Sequence, residues 1–372
     1  MIQNQNQRVI VSGLGVVSAL GSNCDQFWNN LIQAKSGYSK LDFLEERGTP
    51  FKIAGSIVND KLEESWPGHD RTTQLGLSAA AQALADAGVT NNTAFDHDDT
   101  TVAVVMGTTC GANGQLESDG FEDSWFSGQI ADCRSENLRL YDHGSLSTAI
   151  SKEYGFDGPS YVVGTACASG NHAVGEGLNM IRDGQADMVV CGGADSLTLL
   201  PVFGFYAMKS LATKKCTPFD RERDGMVIGE ASAVLVLESE ESALRRGIEP
   251  KVEVKSWSIN CDAAKFAAPL ESGERFEQLV LSCLDAAKLD LTNIDYINAH
   301  GTGTQSNDAM EANGIARLYS EGNVEFPPVS AIKGQLGHTL GASGALEALV
   351  CVLALQHGVF LVTLLLQSWM TE

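Results

Sequence analysis

The sequence predicts an α/β fold, because segments with the pattern of buried strands alternate with amphipathic segments of helical length along most of the chain. The chain has 372 residues, too many for one small core. Its 44% hydrophobic and 19% charged content is that of an ordinary globular protein. The strand and helix pattern also starts again near residue 250, which indicates two α/β halves.

The first half opens with the strand pattern RVIVSGLGVVS, followed by helices predicted in CDQFWNNLIQA and RTTQLGLSAAAQALADAG. The buried strand TVAVVMGT comes next. An acidic stretch from 109 to 145 then predicts an irregular insertion with helical pieces. The remaining predicted elements are, in order, the strand SYVVGTA, the helix SGNHAVGEGLNMIRDG, the strands DMVVCGGAD and ASAVLVLES, and a capped helix in SEESALRRG.

In the second half, strands are predicted in KVEVKSWSI, IDYINAHG and PPVSAIKG. Each is followed by a helix, in ERFEQLVLSCLDAAKLD, SNDAMEANGIARLY and SGALEALVCVLALQHG respectively. We therefore predict two domains, residues 1–250 and 251–372. No identity between the halves is evident, so this division depends on the order of the elements alone.

Composition excludes several classes of function. The net charge of -22 argues against a nucleic acid partner. Nine scattered cysteines without a CxxC pair argue against a disulfide framework and a zinc site, and we expect no metal. The segment MIQNQNQRVIV lacks the zones of a signal peptide, and no apolar run reaches the ~18 residues of a membrane span. We expect a cytoplasmic protein without a membrane partner.

Cys167 is the cysteine best placed for chemistry. In VVGTACASGNHAVGEGL it lies between a strand pattern and a helix pattern, with Gly164 and Gly170 on either side. Unpaired N–H groups at a helix N-terminus favour a thiolate, and a strand, turn and helix can present a nucleophile. The alternative is an inert buried cysteine.

Two histidines lie in glycine-rich turns of the second half. His300 ends a strand in NAHGTGT, and His338 precedes a helix in KGQLGHTLGASG. A cysteine protease needs only one such base and an orienting group. Two neutral imidazoles can instead both donate to one oxyanion, such as the enolate of a thioester. This combination favours carbon–carbon bond formation, with the acyl group held on Cys167.

The three segments GTACASG, NAHGTGT and KGQLGHTLGASGALEA together resemble the signatures of the β-ketoacyl-[acyl-carrier-protein] synthases, and most closely those of the elongating type-II enzymes. The resemblance extends from RVIVSGLGVVSALGSN to about Gly358. It implies decarboxylative condensation of an acyl group with malonyl-ACP in fatty acid, polyketide or polyene synthesis. It also implies the thiolase-like fold, two similar halves in a five-layered α-β-α-β-α core, and no cofactor beyond the phosphopantetheine of the carrier.

The resemblance assigns roles to residues at matching positions. Cys167 corresponds to the acyl-accepting nucleophile, and His300 and His338 to the pair that serves decarboxylation. The remaining matches are the active-site lysine Lys333, the phosphopantetheine-binding hydroxyls of Thr302 and Thr304, and the acidic network of Glu311 and Glu347. Phe205 is a candidate for the acyl pocket, the dimer interface or ordinary core, together with Phe203 and Met208.

Two related classes fit less well. Chain-length factors of this family lack the cysteine that stands here at position 167. Thiolases need a second cysteine in a glycine-rich turn near the C-terminus, whereas Cys351 lies in the apolar helix pattern ALEALVCVLAL. A condensing enzyme that uses two histidines is the better interpretation.

The sequence after Gly358 departs from the pattern of the family. Members usually continue with strands and a GFGG loop that contributes an oxyanion donor, but VFLVTLLLQSWMTE contains neither. We interpret this ending as foreign sequence that truncates the second half. Loss of one oxyanion donor costs about 100- to 1,000-fold in rate, so we expect weak activity or none. The alternative is a non-catalytic partner subunit of an intact ketosynthase.

The resemblance also implies partners. An acyl carrier protein is acidic, and the densest basic stretch runs from Lys209 to Arg223 and includes Lys214, Lys215 and Arg221. We expect this stretch to help dock the carrier. The family implies a homodimer, or a heterodimer with a related ketosynthase.

Overall fold

The computed structural model describes residues 7–41, 51–58, 60–89, 100–118, 142–250, 252–265, 268–320 and 324–363. Its strands are β1 (Val9–Ser18), β2 (Ser39–Lys40), β3 (Ile53–Ala54), β4 (Val102–Gly107), β5 (Ser160–Val163), β6 (Met188–Asp195), β7 (Ala231–Ser239), β8 (Val252–Glu253), β9 (Ile297–Asn298) and β10 (Val329–Ser330).

The helices alternate with these strands as predicted. They are α1 (Cys24–Ile32), α2 (Leu62–Ser65), α3 (Arg71–Asp86), α4 (Asn113–Ser118), α5 (Ser145–Tyr154), α6 (Ser169–Arg182), α7 (Leu199–Ala207), α8 (Glu240–Arg245), α9 (Glu274–Ala287), α10 (Gln305–Ser320), α11 (Lys333–Leu336) and α12 (Ser343–His357). Side-chain caps define several starts: Asn23 accepts from the N–H of Gln26, and Asp70 from that of Thr73.

The larger sheet has the strand order β5-β4-β6-β7-β1-β8. Strand β4 runs parallel to β5 and β6, whereas β7 runs antiparallel to β6 and β1. Gly107 therefore lies beside Gly193, and the carboxyl ends of β4 and β6 meet at one edge of the sheet. Candidate site loops leave the sheet at this edge.

Alternation along the central strands divides the core between the two faces of this sheet. Leu235 and Leu237 of β7 pack in one cluster with α6 and α12, and Val234 and Val236 pack in another with α3 and α5. Nearly continuous apolar runs in β4, β6 and β7 follow from this burial on both faces.

The second sheet contains β9 and β10, which pair in parallel. Helix α12 contacts both β7 and β9, and thus lies between the two sheets with α6. Side chains of α9 and α10 cover the outer face of the small sheet, where Ile315 and Leu318 pack on Val329. The order α3/α5, sheet, α6/α12, sheet, α9/α10 gives the five layers expected for the thiolase-like fold.

Two turns next to the central helices have the same sequence pattern and the same shape. TACASG spans 165–170 and TLGASG spans 339–344, identical at four of six positions. Each contains one turn of 3₁₀ helix, Ala166–Ala168 and Leu340–Ala342, that leads directly into α6 or α12. We call them the nucleophile turn and the histidine turn. Our statement that no identity links the halves is therefore wrong at this place.

The structure differs from the sequence predictions in other details. The expected strand KVEVKSWSI is regular only at Val252–Glu253. The helices α2, α5 and α7 and the short strands β2 and β3 were not predicted. The stretch Leu340–His357 is apolar and long enough to cross a membrane, contrary to our reading of the hydropathy, but it is 72% buried between the sheets. Much of the 109–145 insertion lies outside the described residues.

Candidate active site

Three side chains from both halves meet between the central helices. The sulfur of Cys167 and one ring nitrogen each of His300 and His338 all lie within 4.8 Å of one another. The two imidazole rings are 5.1 Å apart and nearly perpendicular. Cys167 lies in the nucleophile turn after β5, His300 follows β9, and His338 follows α11. The convergence that the motifs predict is present in the structure.

Backbone strain and one serine fix the nucleophile turn. Ala166 has a φ of 52°, which costs an L-residue about 1–2 kcal/mol and must be held by its surroundings. The hydroxyl of Ser169 accepts the N–H of Thr165 at 2.9 Å and contacts the carbonyls of Ala166 and Thr108. A Cβ on Gly107 would lie 2.3 Å from the backbone of Ser169, so glycine lets this turn approach β4.

The state of the thiol is a correction to the sequence analysis. Cys167 precedes a helix as expected, but burial raises its pKa to about 11. The ammonium of Lys333 acts in the opposite direction without offsetting burial, and the anion of Asp195 raises the pKa further. The thiol of the free chain is therefore protonated at neutral pH.

Both histidines are neutral, because burial and the nearby Lys333 hold the pKa of each imidazole well below its usual value. Nδ1 of His338 accepts the backbone N–H of Leu340 at 3.0 Å, so its proton lies on Nε2. Nδ1 of His300 faces the ammonium of Lys333 at 3.2 Å, which places its proton on Nε2 as well. Nε2 of His338 is buried and has no hydrogen-bond partner among the described residues.

Lys333 and Glu347 form a buried ion pair behind the rings. The ammonium contacts the carboxylate of Glu347 directly and donates to the carbonyl of His300 at 2.6 Å. Burial raises the pKa of Glu347, and Lys333 opposes this change. Removing either charge would leave the other buried without a partner, at a cost of about 3–5 kcal/mol. The pair thus fixes the position of His300.

Glu311 holds the loop that carries His300. Its carboxylate accepts the backbone N–H groups of His300 and Gly301, each at 2.7 Å. Asn307 donates to it at 2.9 Å. Burial raises the pKa of Glu311 to about 7 despite these donors. Both acidic positions that the resemblance indicated therefore contact the histidine loops or their lysine.

The other predicted site residues lie around this centre. The hydroxyls of Thr302 and Thr304 are 2.8 Å apart on the loop after His300. Phe205 of α7 is half-buried, with its ring 6.4 Å from that of His338. Phe203 and Met208 are exposed and are not part of the core.

The basic stretch is only partly a surface feature. Lys209, Lys214, Lys215 and Arg221 are exposed. Arg223 is only 6% exposed and donates to the carbonyls of Thr304 and Gln305, so its assignment to the docking surface was wrong. It instead supports the loop that follows His300.

A sulfur and two imidazoles could bind Zn²⁺ by donor type. The ammonium of Lys333, 3.2 Å from His300, opposes a second cation at this place. The site therefore favours an anion, and the N–H groups of two neutral imidazoles are the donors that could bind one.

Sequence reasoning missed Asp195, Thr108 and Ser169, which join the loops, and Ser343, whose hydroxyl lies 3.1 Å from Nδ1 of His338. Asp195 ends the buried strand pattern VVCGGAD, and an acidic residue at the carboxyl end of such a strand is a usable signal. The serines occupy equivalent positions in TACASG and TLGASG, which a search for short internal repeats would have found.

Comparison with known proteins agrees with this geometry. The family model for the β-ketoacyl synthase N-terminal domain matches residues 6–243, and that for the β-ketoacyl synthase C-terminal domain matches residues 252–367. The second match includes most of the segment after Gly358, so our interpretation of that segment as foreign is wrong through residue 367.

The chain is 33% identical to the ketoacyl synthase alpha subunit of the tetracenomycin polyketide synthase of Streptomyces glaucescens, over 96% of this chain and 87% of that protein. It is 32% identical to the chloroplastic 3-oxoacyl-[acyl-carrier-protein] synthase II of Arabidopsis thaliana, over 95% and 67%. The ishigamide ketosynthase/chain length factor structure superposes with a TM-score of 0.86 at 33% identity, covering 95% of this chain and 87% of that one.

These matches span both halves and include a subunit of a polyketide synthase and a 3-oxoacyl-[acyl-carrier-protein] synthase. The chain belongs to the β-ketoacyl synthase family and is an acyltransferase of the 3-oxoacyl-[acyl-carrier-protein] synthase type.

Proposed function

We propose that Cys167 carries an acyl group while His300 and His338 stabilise the enolate formed by decarboxylation of malonyl-ACP. The observation that carries this proposal is the set of atoms within 4.8 Å: one sulfur and two imidazoles. Each imidazole keeps its proton on Nε2, because the nitrogen at the other ring position faces a donor. One anion next to the sulfur could therefore receive two hydrogen bonds.

In the first step, the sulfur of Cys167 attacks the thioester of the acyl carrier and a new thioester forms. The bond between the acyl carbon and the sulfur of the carrier breaks, and the proton of Cys167 ends on the released carrier thiol. The backbone N–H of Cys167 belongs to the same turn as the sulfur and would donate to the thioester oxygen as negative charge develops there.

In the second step, malonyl-ACP loses CO₂, and the electron pair of the broken carbon–carbon bond forms the thioester enolate. The Nε2–H groups of His300 and His338 donate to its oxygen. The enolate carbon attacks the acyl group on Cys167 and expels the thiolate. Uptake of one proton restores the thiol and completes a β-ketoacyl-ACP.

Thr302 and Thr304 support binding of the phosphopantetheine arm, because their hydroxyls lie next to the histidine on the same loop. Exposed Lys209, Lys214 and Lys215 support docking of an acidic carrier through complementary charge. The name of the Arabidopsis relative includes the acyl carrier protein, which agrees with this partner. Phe205 would contact the acyl chain near His338.

Assembly and location belong to the same proposal. The structural neighbour is a ketosynthase/chain length factor, which supports a ketosynthase-like partner subunit. We propose a dimer, with either a second copy or a related subunit, in the cytoplasm. Native mass spectrometry of the chain, alone and mixed with a chain-length factor, would distinguish the two assemblies.

The function is tested with acyl-ACP and malonyl-ACP, by following CO₂ release and the mass of the carrier-bound product. We expect a β-keto thioester that is two carbons longer than the acyl primer. The Lys333→Met variant should retain less than about 1% of this activity, because it removes one charge of a buried pair. Absence of both acylation of Cys167 and condensation would favour the non-catalytic partner subunit instead.

A further inference from the structure

We propose that Asp195 is a positioning residue, which fixes His338 for enolate stabilisation by clamping the histidine turn onto the loop after β4. This inference rests on the function proposed above and adds a residue outside the three sequence motifs. Asp195 is the last residue of β6 and is fully buried.

The carboxylate of Asp195 satisfies donors from two separate segments. The hydroxyl of Thr108 donates to it at 2.6 Å, and the N–H groups of Thr109 and Cys110 donate at 2.8 and 2.9 Å. From the other half, the N–H of Gly341 donates at 2.6 Å. Four donors around one buried carboxylate form a strong, charge-assisted network.

Each segment that Asp195 joins leads to a reacting group. On one side, the carbonyl of Thr108 accepts from Ser169 of the nucleophile turn at 3.2 Å. On the other side, Gly341 follows Leu340, whose N–H is the donor to Nδ1 of His338. Leu340 has a φ of 52° and needs its neighbours to hold this conformation. By holding Gly341, Asp195 thus fixes the position of the neighbouring Leu340 N–H. This N–H selects the tautomer of His338.

The likeness of the two turns strengthens this argument. Gly341 occupies the place in the histidine turn that Cys167 occupies in the nucleophile turn. The N–H of Gly341 donates to the buried carboxylate of Asp195, whereas the equivalent residue of the nucleophile turn, Cys167, carries the sulfur. The histidine turn therefore holds an anion of the protein itself at the position where the nucleophile turn presents its reactive residue.

The Asp195→Asn variant tests the proposal, with Glu238→Gln as the matched control. Glu238 is also fully buried, and its carboxylate binds Arg246 and Ser242. It pairs with Met188 at the opposite end of β6, about 23 Å from Asp195 at ~3.3 Å per residue. Both variants should lose thermal stability, since each leaves buried donors without a charged acceptor.

The deciding measurement needs no turnover. ¹⁵N NMR of the histidines in the full chain should show His338 protonated at Nε2 in the wild type and in Glu238→Gln, and a mixture of tautomers in Asp195→Asn. An unchanged Nε2–H tautomer in Asp195→Asn would overturn the proposal.

Kinetics then separate this proposal from the function itself. Asp195→Asn should lower malonyl-ACP decarboxylation at least about tenfold, with acylation of Cys167 reduced less than threefold. Equal losses in both steps, matched by Glu238→Gln, would show a merely structural role and overturn the proposal. A wild type that neither acylates nor decarboxylates would contradict the proposed function, whereas the tautomer experiment would still decide the role of Asp195.

Discussion

The nucleophile turn and the histidine turn have one local design and two different chemical tasks. In both, a strained residue, Ala166 or Leu340, begins a 3₁₀ turn that leads into a central helix. In the first turn a cysteine follows the strained residue, and in the second a glycine does. A shared backbone can therefore present a nucleophile in one half and fix an acid–base group in the other.

The contacts of the two turns explain why they differ. A Cβ on Gly341 would lie 2.6 Å from the N–H nitrogen of Thr109 and 2.7 Å from the carboxylate of Asp195. The histidine turn is thus packed against the first half with no room for a side chain. Cys167, in contrast, is only half-buried. Tight packing keeps His338 in position, and partial exposure leaves Cys167 accessible to a substrate.

The largest effect should come from loss of an imidazole. We expect His338→Ala and His300→Ala each to lower malonyl-ACP decarboxylation about 100- to 1,000-fold, since each removes one donor to the enolate. His172→Ala is the control, because His172 lies outside the cluster and pairs with Glu176 at 3.6 Å. Rates of CO₂ release measure the effect. Equal losses in His172→Ala would contradict a specific role for the pair.

The packing difference is tested by Gly341→Ala, which should lower the free energy of unfolding by about 1 to 3 kcal/mol through overpacking. Gly204→Ala is the matched control in α7, where a Cβ would meet no atom within 4 Å. A helical glycine changed to alanine should leave stability equal or raise it by up to about 1 kcal/mol. Urea denaturation measures both. Equal stability of the two variants would refute the tight packing of the histidine turn.

Alkylation of Cys167 by iodoacetamide should rise about tenfold per pH unit between pH 7 and 9 without a plateau, because the thiol pKa is about 11. Mass-resolved labelling measures the alkylation of Cys167, and an alkylation plateau near neutral pH would show a helix-acidified thiolate instead.

His300 and His338 make the stability of the fold depend on pH. Their pKa values are lower in the folded than in the unfolded chain, so the free energy of unfolding should decline as the pH falls below about 6.5.

The smallest effect concerns the surface of the first half. The Lys214→Glu, Lys215→Glu double variant should weaken binding of acyl carrier protein about three- to tenfold at low salt, and less at 0.5 M salt. Lys152→Glu on α5 changes an exposed charge outside the basic stretch and is the control. Titration calorimetry would measure both. Equal affinity of all variants would exclude the basic stretch from the docking site.

Much of this account could be predicted from sequence, because the signatures are local. Alternating strand and helix patterns predict the α/β class and place most helices to within a few residues. They do not predict the order of the strands in the sheet. Cys167, His300 and His338 each lie in a glycine-rich segment at the end of an element, so their convergence was predictable.

The rest depends on burial and on contacts between distant segments. The raised pKa of Cys167 comes from desolvation in the assembled core, which a local helix argument does not include. The burial of Arg223 and the bonds of Asp195 to Thr108 and Gly341 join residues 80 to 150 positions apart. Contacts between residues this far apart cannot be inferred from local patterns in a single sequence.

The most direct measurement is the intact mass of the full chain after exposure to an acyl-ACP thioester, followed by peptide mapping. The account predicts one acyl group, located on Cys167 and absent from Cys167→Ala, although that variant still releases CO₂ from malonyl-ACP. An acyl group spread over other cysteines, or one that persists in Cys167→Ala, would contradict the assignment of Cys167 as the nucleophile that His300 and His338 face.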